Sequence, residues 1–251
     1  MKQQTALVTG SSRGLGKDMA LALAKKGINV IITYKGNKED AEQVAKDVEA
    51  LGAKAAVLQL DMENLGSYDA FIQSALAAIQ PWGSDKIDHL INNAGIGGGR
   101  TIADATEEFF DAMLNVHFKG VYFFTQKWMQ HINDGGSVIN ISTGTTRFRN
   151  PGYSIYSSMK SAVETFTKHI AAEYGNRQIR ANIVAPGPIE TDFNGAAIRN
   201  NPQLKAMLGE RTPLGRVGVA EDIGGVVAFL CTEDARWVNG QRIEVSGGIN
   251  M

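Results

Sequence analysis

What most constrains this chain is a regular alternation. Short apolar runs recur, each followed by a turn and then by a stretch with helical spacing. Residues 5–9 form the first run, and the turn Gly10-Ser11-Ser12-Arg13-Gly14 leads into helical positions Leu15, Met19, Leu21, Leu23 and Ala24, stopped at Gly27. The same pattern predicts strands over 28–33, 54–60, 87–91, 137–141, 179–185 and 242–245. It predicts helices over 39–51, 65–79, 109–128, 155–174 and 220–231. Strands that alternate with helices of this length need right-handed crossovers, and these build a parallel sheet covered on both faces. The expectation is α/β: a single doubly wound domain spanning 1–251, with no repeat and no linker. Its ligand would sit beyond the carboxyl ends of the strands. The one long loop-like stretch, 186–216, has the length of a lid or binding loop.

The first turn carries Thr9-Gly10-x-x-x-Gly14-x-Gly16 between strand and helix. Glycines there permit positive φ and close backbone approach, and the helix behind them offers free N–H groups to a diphosphate. The second strand ends Thr33-Tyr34-Lys35-Gly36-Asn37 with no acid. A carboxylate at that place would hold a ribose 2′-hydroxyl and repel a 2′-phosphate. Its absence, with Lys35 and Arg13 nearby, favours NADPH over NADH. Asn92-Asn93-Ala94-Gly95 follows the fourth strand, where small residues leave room for a cofactor. Tyr156 and Lys160 stand four residues apart in a predicted helix, so their side chains are neighbours. The lysine charge should lower the phenol pKa and make Tyr156 a proton donor near neutral pH. Tyr34 and Lys38 repeat the spacing, but a strand end and a glycine should keep those two off a common helix face.

Composition bounds the partners. A net charge of −1 gives no reason to expect nucleic acid, and no apolar run reaches the length of a membrane span. Met1-Lys2-Gln3-Gln4 runs directly into a strand-like segment, which leaves no room for a signal peptide. The single cysteine, Cys231, rules out an internal disulfide and suits a reducing compartment, so a cytoplasmic location is expected. Cys231 lies among apolar residues and reads as a buried structural thiol. His89, His117, His131 and His169 show no metal-ligand spacing, and no metal is expected.

In order and spacing these motifs resemble the short-chain dehydrogenase/reductase family over essentially the whole chain. They are the glycine turn, Asp61 after the third strand, Asn92 to Gly95, Asn115, Tyr156-x-x-x-Lys160, and Pro186-Gly187 leading to Thr191. The resemblance implies a Rossmann-type domain with a seven-stranded parallel sheet, a nicotinamide cofactor and a homotetramer. Cofactor contacts would come from Gly10, Ser12, Arg13, Gly14, Leu15 and Gly16 in the turn, and from Tyr34 and Lys35 after strand two. Further contacts would come from Asp61, Met62, Asn93, Ala94 and Gly95, from Tyr156 and Lys160, and from Pro186, Gly187, Ile189 and Thr191. The implied catalytic set is Asn115, Thr143, Tyr156 and Lys160. Thr143 stands where the family has serine, thirteen residues before the tyrosine, and Ser142 beside it is the alternative.

The implied reaction is reduction of a ketone, or oxidation of a secondary alcohol. Within the family the chain is most similar to 3-oxoacyl carrier-protein reductases and related carbonyl reductases. Carrier-protein recognition uses basic residues at two helix ends, and here Asp134 occupies the first such place and Arg177 the second. That acid ranks a small ketone or alcohol ahead of an acidic carrier protein. The segment 188–216, carrying Phe193, Met207 and Leu208, would form a lid over a largely apolar substrate. A nucleotide-sensing protein on the same scaffold is the competing class, and retention of Tyr156, Lys160 and Asn115 argues against it.

Overall fold

A computed structural model describes residues 3–250, so Met1 and Lys2 of the N-terminal reading lie outside it. Seven strands form one sheet: β1 (Thr5–Val8), β2 (Asn29–Tyr34), β3 (Ala55–Gln59), β4 (Ile87–Asn92), β5 (Ile132–Ile141), β6 (Arg180–Pro186) and β7 (Arg242–Val245). Their order is β3-β2-β1-β4-β5-β6-β7, with every pairing parallel. The order reverses between β1 and β4, which opens a crevice at the carboxyl ends of the strands.

Nine helices accompany the sheet among the described residues. They are α1 (Gly14–Lys25), α2 (Lys38–Ala50), α3 (Tyr68–Ile79), α4 (Glu107–Leu114), α5 (Gly120–Trp128), α6 (Ser154–Glu173), the single turn α7 (Phe193–Ala196), α8 (Pro202–Glu210) and α9 (Glu221–Leu230). Side chains alternate across each strand, so β1 sends Ala6 and Val8 to one core and Leu7 to the other. The first core gathers Met19, Leu23, Val44, Val48, Ile223 and Val227 from α1, α2 and α9. The second gathers Tyr68, Phe71, Phe124, Trp128, Val163 and Ile170 from α3, α5 and α6. Full burial of side chains this large stabilises the fold by about 2 kcal/mol each.

The structure refines three segments. The helix expected over 109–128 starts earlier, where Thr106 accepts a hydrogen bond from Phe109 N, and is interrupted at 115–119 by a π-helical turn. Gly120 ends that turn where a Cβ would lie 2.5 Å from the Met62 carbonyl oxygen. β5 begins five residues before its expected start. The stretch 186–216 is not a plain loop, because it contains α8, whose first turn is capped by Asn201 Oδ1 accepting from Leu204 N with Pro202 at the start.

Candidate active site

The glycine turn is shaped by its neighbours. Gly10 and Gly14 sit at φ +64° and +56°, a region that favours glycine. A Cβ on Gly16 would lie 2.2 Å from the Gly10 carbonyl oxygen, so only glycine fits there. Thr33 Oγ1 accepts from Gly10 N at 2.9 Å, and Ser11 Oγ accepts from Thr33 N at 2.9 Å, tying the turn to β2. Asn93 Nδ2 donates to the Thr9 and Gly10 carbonyl oxygens at 2.9 and 3.1 Å. Thr9 Oγ1 in turn accepts from the N–H groups of Asn93 and Ala94. The first turn of α1 has no side-chain cap, and its residues Gly14, Leu15 and Gly16 lie along the crevice. Asn92, by contrast, points inward and donates to Thr125 Oγ1 and Asn140 Oδ1.

One cavity of about 1060 Å³ runs from this turn across the strand ends. Every residue assigned above to cofactor contact lines it, together with Ser142 and Thr143. Asn115 does not, although its neighbours Val116 and His117 do. It stands at the start of the π-helical turn, where its carbonyl accepts from Gly120 N. Tyr34 ends β2 and Lys38 opens α2, so these two share no helix face.

Tyr156 is half-buried between aromatic rings. Its centroid lies 5.0 Å from His117, 6.2 Å from Tyr153 and 6.3 Å from Phe193. The expected acidification by Lys160 does not appear. Burial pushes the Tyr156 phenol above its usual range, with Tyr153 adding to the effect. Burial also draws Lys160 down to about 8. The physical reason is orientation. Lys160 Nζ donates to the Ile141 carbonyl oxygen at 2.7 Å and lies 5.9 Å from the centre of the phenol ring, so desolvation outweighs their attraction.

The two candidate hydroxyls at the end of β5 differ in their partners. Ser142 Oγ donates to Glu164 Oε1 at 2.5 Å. Thr143 Oγ1 meets only a neighbouring hydroxyl, Thr145 Oγ1, at 3.2 Å, and the Thr145 N–H at 3.3 Å.

Several wall residues carried no signal in sequence. His117 Nε2 lies 2.9 Å from the Ile96 carbonyl oxygen and 3.3 Å from the Ile96 nitrogen, while Nδ1 is buried without a partner among the described residues. Burial, with Lys160 nearby, lowers its pKa to about 3 and keeps the ring neutral. Asn194, at φ +55°, accepts from Gly98 N at 2.8 Å and donates to the Tyr153 hydroxyl at 3.1 Å. Lys35 is not a free cation, because Asp61 at 3.1 Å and Glu63 share its ammonium. Arg13 has no ion pair among the described residues. At the other end the cavity is lined by Ile96, Phe148, Tyr153, Phe193, Met207 and Leu208, with Arg149, Asn150 and Arg211 among them. Among the described residues no three His, Cys, Asp or Glu side chains gather as metal ligands, and Cys231 is buried, its thiol pushed up to about 12.

A glycine cradle at a helix start, continuous in one cavity with Tyr156 and Lys160, fits a dinucleotide. Fold and site define an NAD(P)-dependent oxidoreductase. The profile of a family described as enoyl-(acyl carrier protein) reductase matches residues 10–250, and the chain belongs to the short-chain dehydrogenase/reductase family. It is 37% identical to an uncharacterized oxidoreductase of Methylorubrum extorquens over 99% of this chain and 98% of that one. It is 32% identical to a hydroxynaphthalene reductase-like protein of Metarhizium brunneum, covering 98% and 94%. Among solved structures, the reductase LugOII, described as catalysing keto-reduction at C1 in lugdunomycin biosynthesis, superposes with a TM-score of 0.93 at 33% identity, covering 99% and 98%. The landomycin C-6 ketoreductase LanV, solved with bound NADP and rabelomycin, gives 0.88 at 33% identity, covering 98% and 95%.

Proposed function

We propose that this protein uses NADPH to reduce a ketone carried on a flat, largely apolar framework, with Tyr156 as proton donor. The observation that carries the reading is one cavity. It joins the glycine cradle to Tyr156, Lys160 and Thr143, and beyond them to a wall of Phe148, Tyr153 and Phe193. The chemistry a nicotinamide would supply here, when bound, is a hydride to the carbonyl carbon. Thr143 and Tyr156 hydroxyls donate to the carbonyl oxygen and stabilise the negative charge that grows there. Tyr156 then gives that oxygen its proton, leaving a secondary alcohol. Burial keeps the phenol protonated across neutral pH, which is the form the reductive direction needs. Lys160 would hold the ribose hydroxyls, and its charge would steady the phenolate once it forms. Asn115 opens the π-helical turn behind this pair, where its carbonyl could order a water on the proton path.

The preference for NADPH rests on Arg13 and on the absence of an acid at the end of β2, since Lys35 is already paired. NADP bound to LanV supports it. The segment 188–216 acts as the lid. A carrier-protein substrate is the weaker reading. Arg177 is engaged internally by Asp134 at 2.8 Å and by the Met129 and Ile132 carbonyl oxygens, so it is not free for an acidic partner. The residues at the lid end of the cavity suit a small molecule, a homotetramer is what the family leads one to expect, and a cytoplasmic location is the expectation from composition.

The test is NADPH oxidation with a panel of cyclic, aromatic and open-chain ketones, and with acetoacetyl thioesters. Tyr156→Phe should lower turnover of the best ketone about a thousandfold while NADPH affinity stays within about threefold. Wild-type turnover by that variant would overturn the assignment of Tyr156.

A further inference from the structure

Behind the cavity wall lies an ionic cluster that touches neither substrate nor cofactor space. Glu164 stands on α6, two turns beyond Tyr156, and its Oε1 accepts three bonds. They come from Ser142 Oγ at 2.5 Å, Thr146 Oγ1 at 2.9 Å and Arg242 Nε at 2.8 Å. Arg242 reaches in from β7 with its side chain only 8% exposed. Its Nη1 donates to Glu244 Oε2 at 2.8 Å. Its Nη2 donates to the Thr143 carbonyl oxygen at 2.9 Å and to Thr146 Oγ1 at 3.1 Å. Neither Glu164 nor Arg242 lines the cavity.

The Thr143 carbonyl is the informative contact. Thr143 is extended, at φ −159° and ψ 153°, and the chain then turns sharply through Gly144. The carbonyl and the side chain of Thr143 share one Cα, so holding the carbonyl at this extended ψ limits how the residue can rock at the strand end. A carbonyl held by a guanidinium cannot rotate freely. The guanidinium is itself fixed by two carboxylates, Glu164 and Glu244. Ser142, its hydroxyl consumed by Glu164, anchors the residue before. Ser157, next to Tyr156, donates to Thr145 Oγ1 at 2.9 Å, and so links the same assembly to the helix that carries the phenol.

We propose that Arg242 and Glu164 are positioning residues, an ion pair that orients the Thr143 hydroxyl toward the reacting carbonyl oxygen. The inference rests on the proposed role of Thr143. A planar, forked donor is required, because a lysine ammonium cannot bond Glu164, Glu244 and the Thr143 carbonyl in one plane. Displacement of a catalytic group by about 1 Å can cost up to about a hundredfold in rate.

The experiment is a cycle of Arg242→Lys, Thr143→Ala and their double variant. It reads kcat and KM for the best ketone, NADPH affinity by fluorescence, and melting temperature. Thr143→Ala alone tests the role of the threonine, with a loss of about a hundredfold in kcat expected. Arg242→Lys should lower kcat by about tenfold or more, with KM and NADPH affinity within about twofold, and should cost little further in the Thr143→Ala background. Equal losses from Arg242→Lys in both backgrounds would mean a general structural role and overturn the inference. So would unchanged kcat. If Thr143→Ala alone is silent, the reading of Thr143 fails first and takes the inference with it. Should Arg242→Lys not fold, Glu164→Gln keeps an acceptor for Ser142 and removes only the charge. It should lower kcat about threefold, and only where Thr143 is present.

Discussion

The two walls of the cavity are built differently. The wall made by residues 9–16 and 92–95 is held by backbone geometry. Its glycines are dictated by φ or by contact, and its carbonyl and N–H groups are matched by Thr9, Thr33 and Asn93. The wall made by residues 188–216 is tied to the rest of the fold chiefly near its ends. Among the described residues these ties include the backbone bonds of Pro188 and Glu190 with Gly218, the Leu214 N bond to the Gly247 carbonyl and the Arg216–Asp222 ion pair, with the Asn194 bonds to Gly98 and Tyr153 between them. Three successive residues there, Asn194, Gly195 and Ala196, lie at positive φ, which costs of order 1 kcal/mol or more at Ala196. The difference matches the division of labour proposed above. A cofactor common to many reductases meets a rigid wall, whereas a particular substrate meets one that can be reshaped.

The largest effect should come from breaking the rigid wall. Gly16→Val places atoms where the Gly10 carbonyl and Asn93 Nδ2 already lie, and should weaken NADPH binding by at least about a hundredfold in a fluorescence titration. An affinity within about threefold of wild type would show that the turn gives way as easily as the lid.

A smaller and different effect is expected from the other wall. Asn194→Ala removes both bonds of the Asn194 bridge, and with them an amide suited to its left-handed conformation. KM for the ketone should rise about tenfold while NADPH affinity holds. If cofactor affinity falls in parallel, the walls are not independent.

The smallest effect separates the walls by pH. His117 braces the Ile96 carbonyl on the rigid side, and its folded pKa of about 3 lies below the usual histidine value. A histidine buried neutral contributes its stability in full above about pH 6.5, and loses it as pH falls toward 3 and the unfolded chain takes up the proton. His89, buried and lowered in the same way, adds to the loss. Melting temperature should drop by about 10 °C between pH 7 and pH 4.5, and His117→Gln should lose less of it. Equal acid sensitivity in the variant would place the weak point elsewhere.

Much of this was legible beforehand. The glycine turn could be read because φ requirements are local, and Tyr156 with Lys160 because helical spacing is local. The capped helix at 202–210 was legible too, since Asn201-Pro202 is a start signal, but the length of the surrounding loop concealed it. The resemblance put Thr143 ahead of Ser142, but neighbouring residues at a strand end face different ways, and only Glu164 on α6, which takes the Ser142 hydroxyl, shows how the two differ in partners. Glu63, close to Lys35 only across two strand ends, was equally hidden.

By itself the sequence determined the α/β architecture, the place of the crevice and the residues around it, because periodicity and strand–helix connectivity act over a few residues at a time. Only the tertiary structure decided the electrostatics. Tyr156 is kept protonated rather than acidified, Lys35 is paired, and the Thr143 carbonyl is held by Arg242 from across the sheet. Desolvation and ion pairing depend on which distant groups the fold brings within a few ångströms, and no local pattern of residues records that.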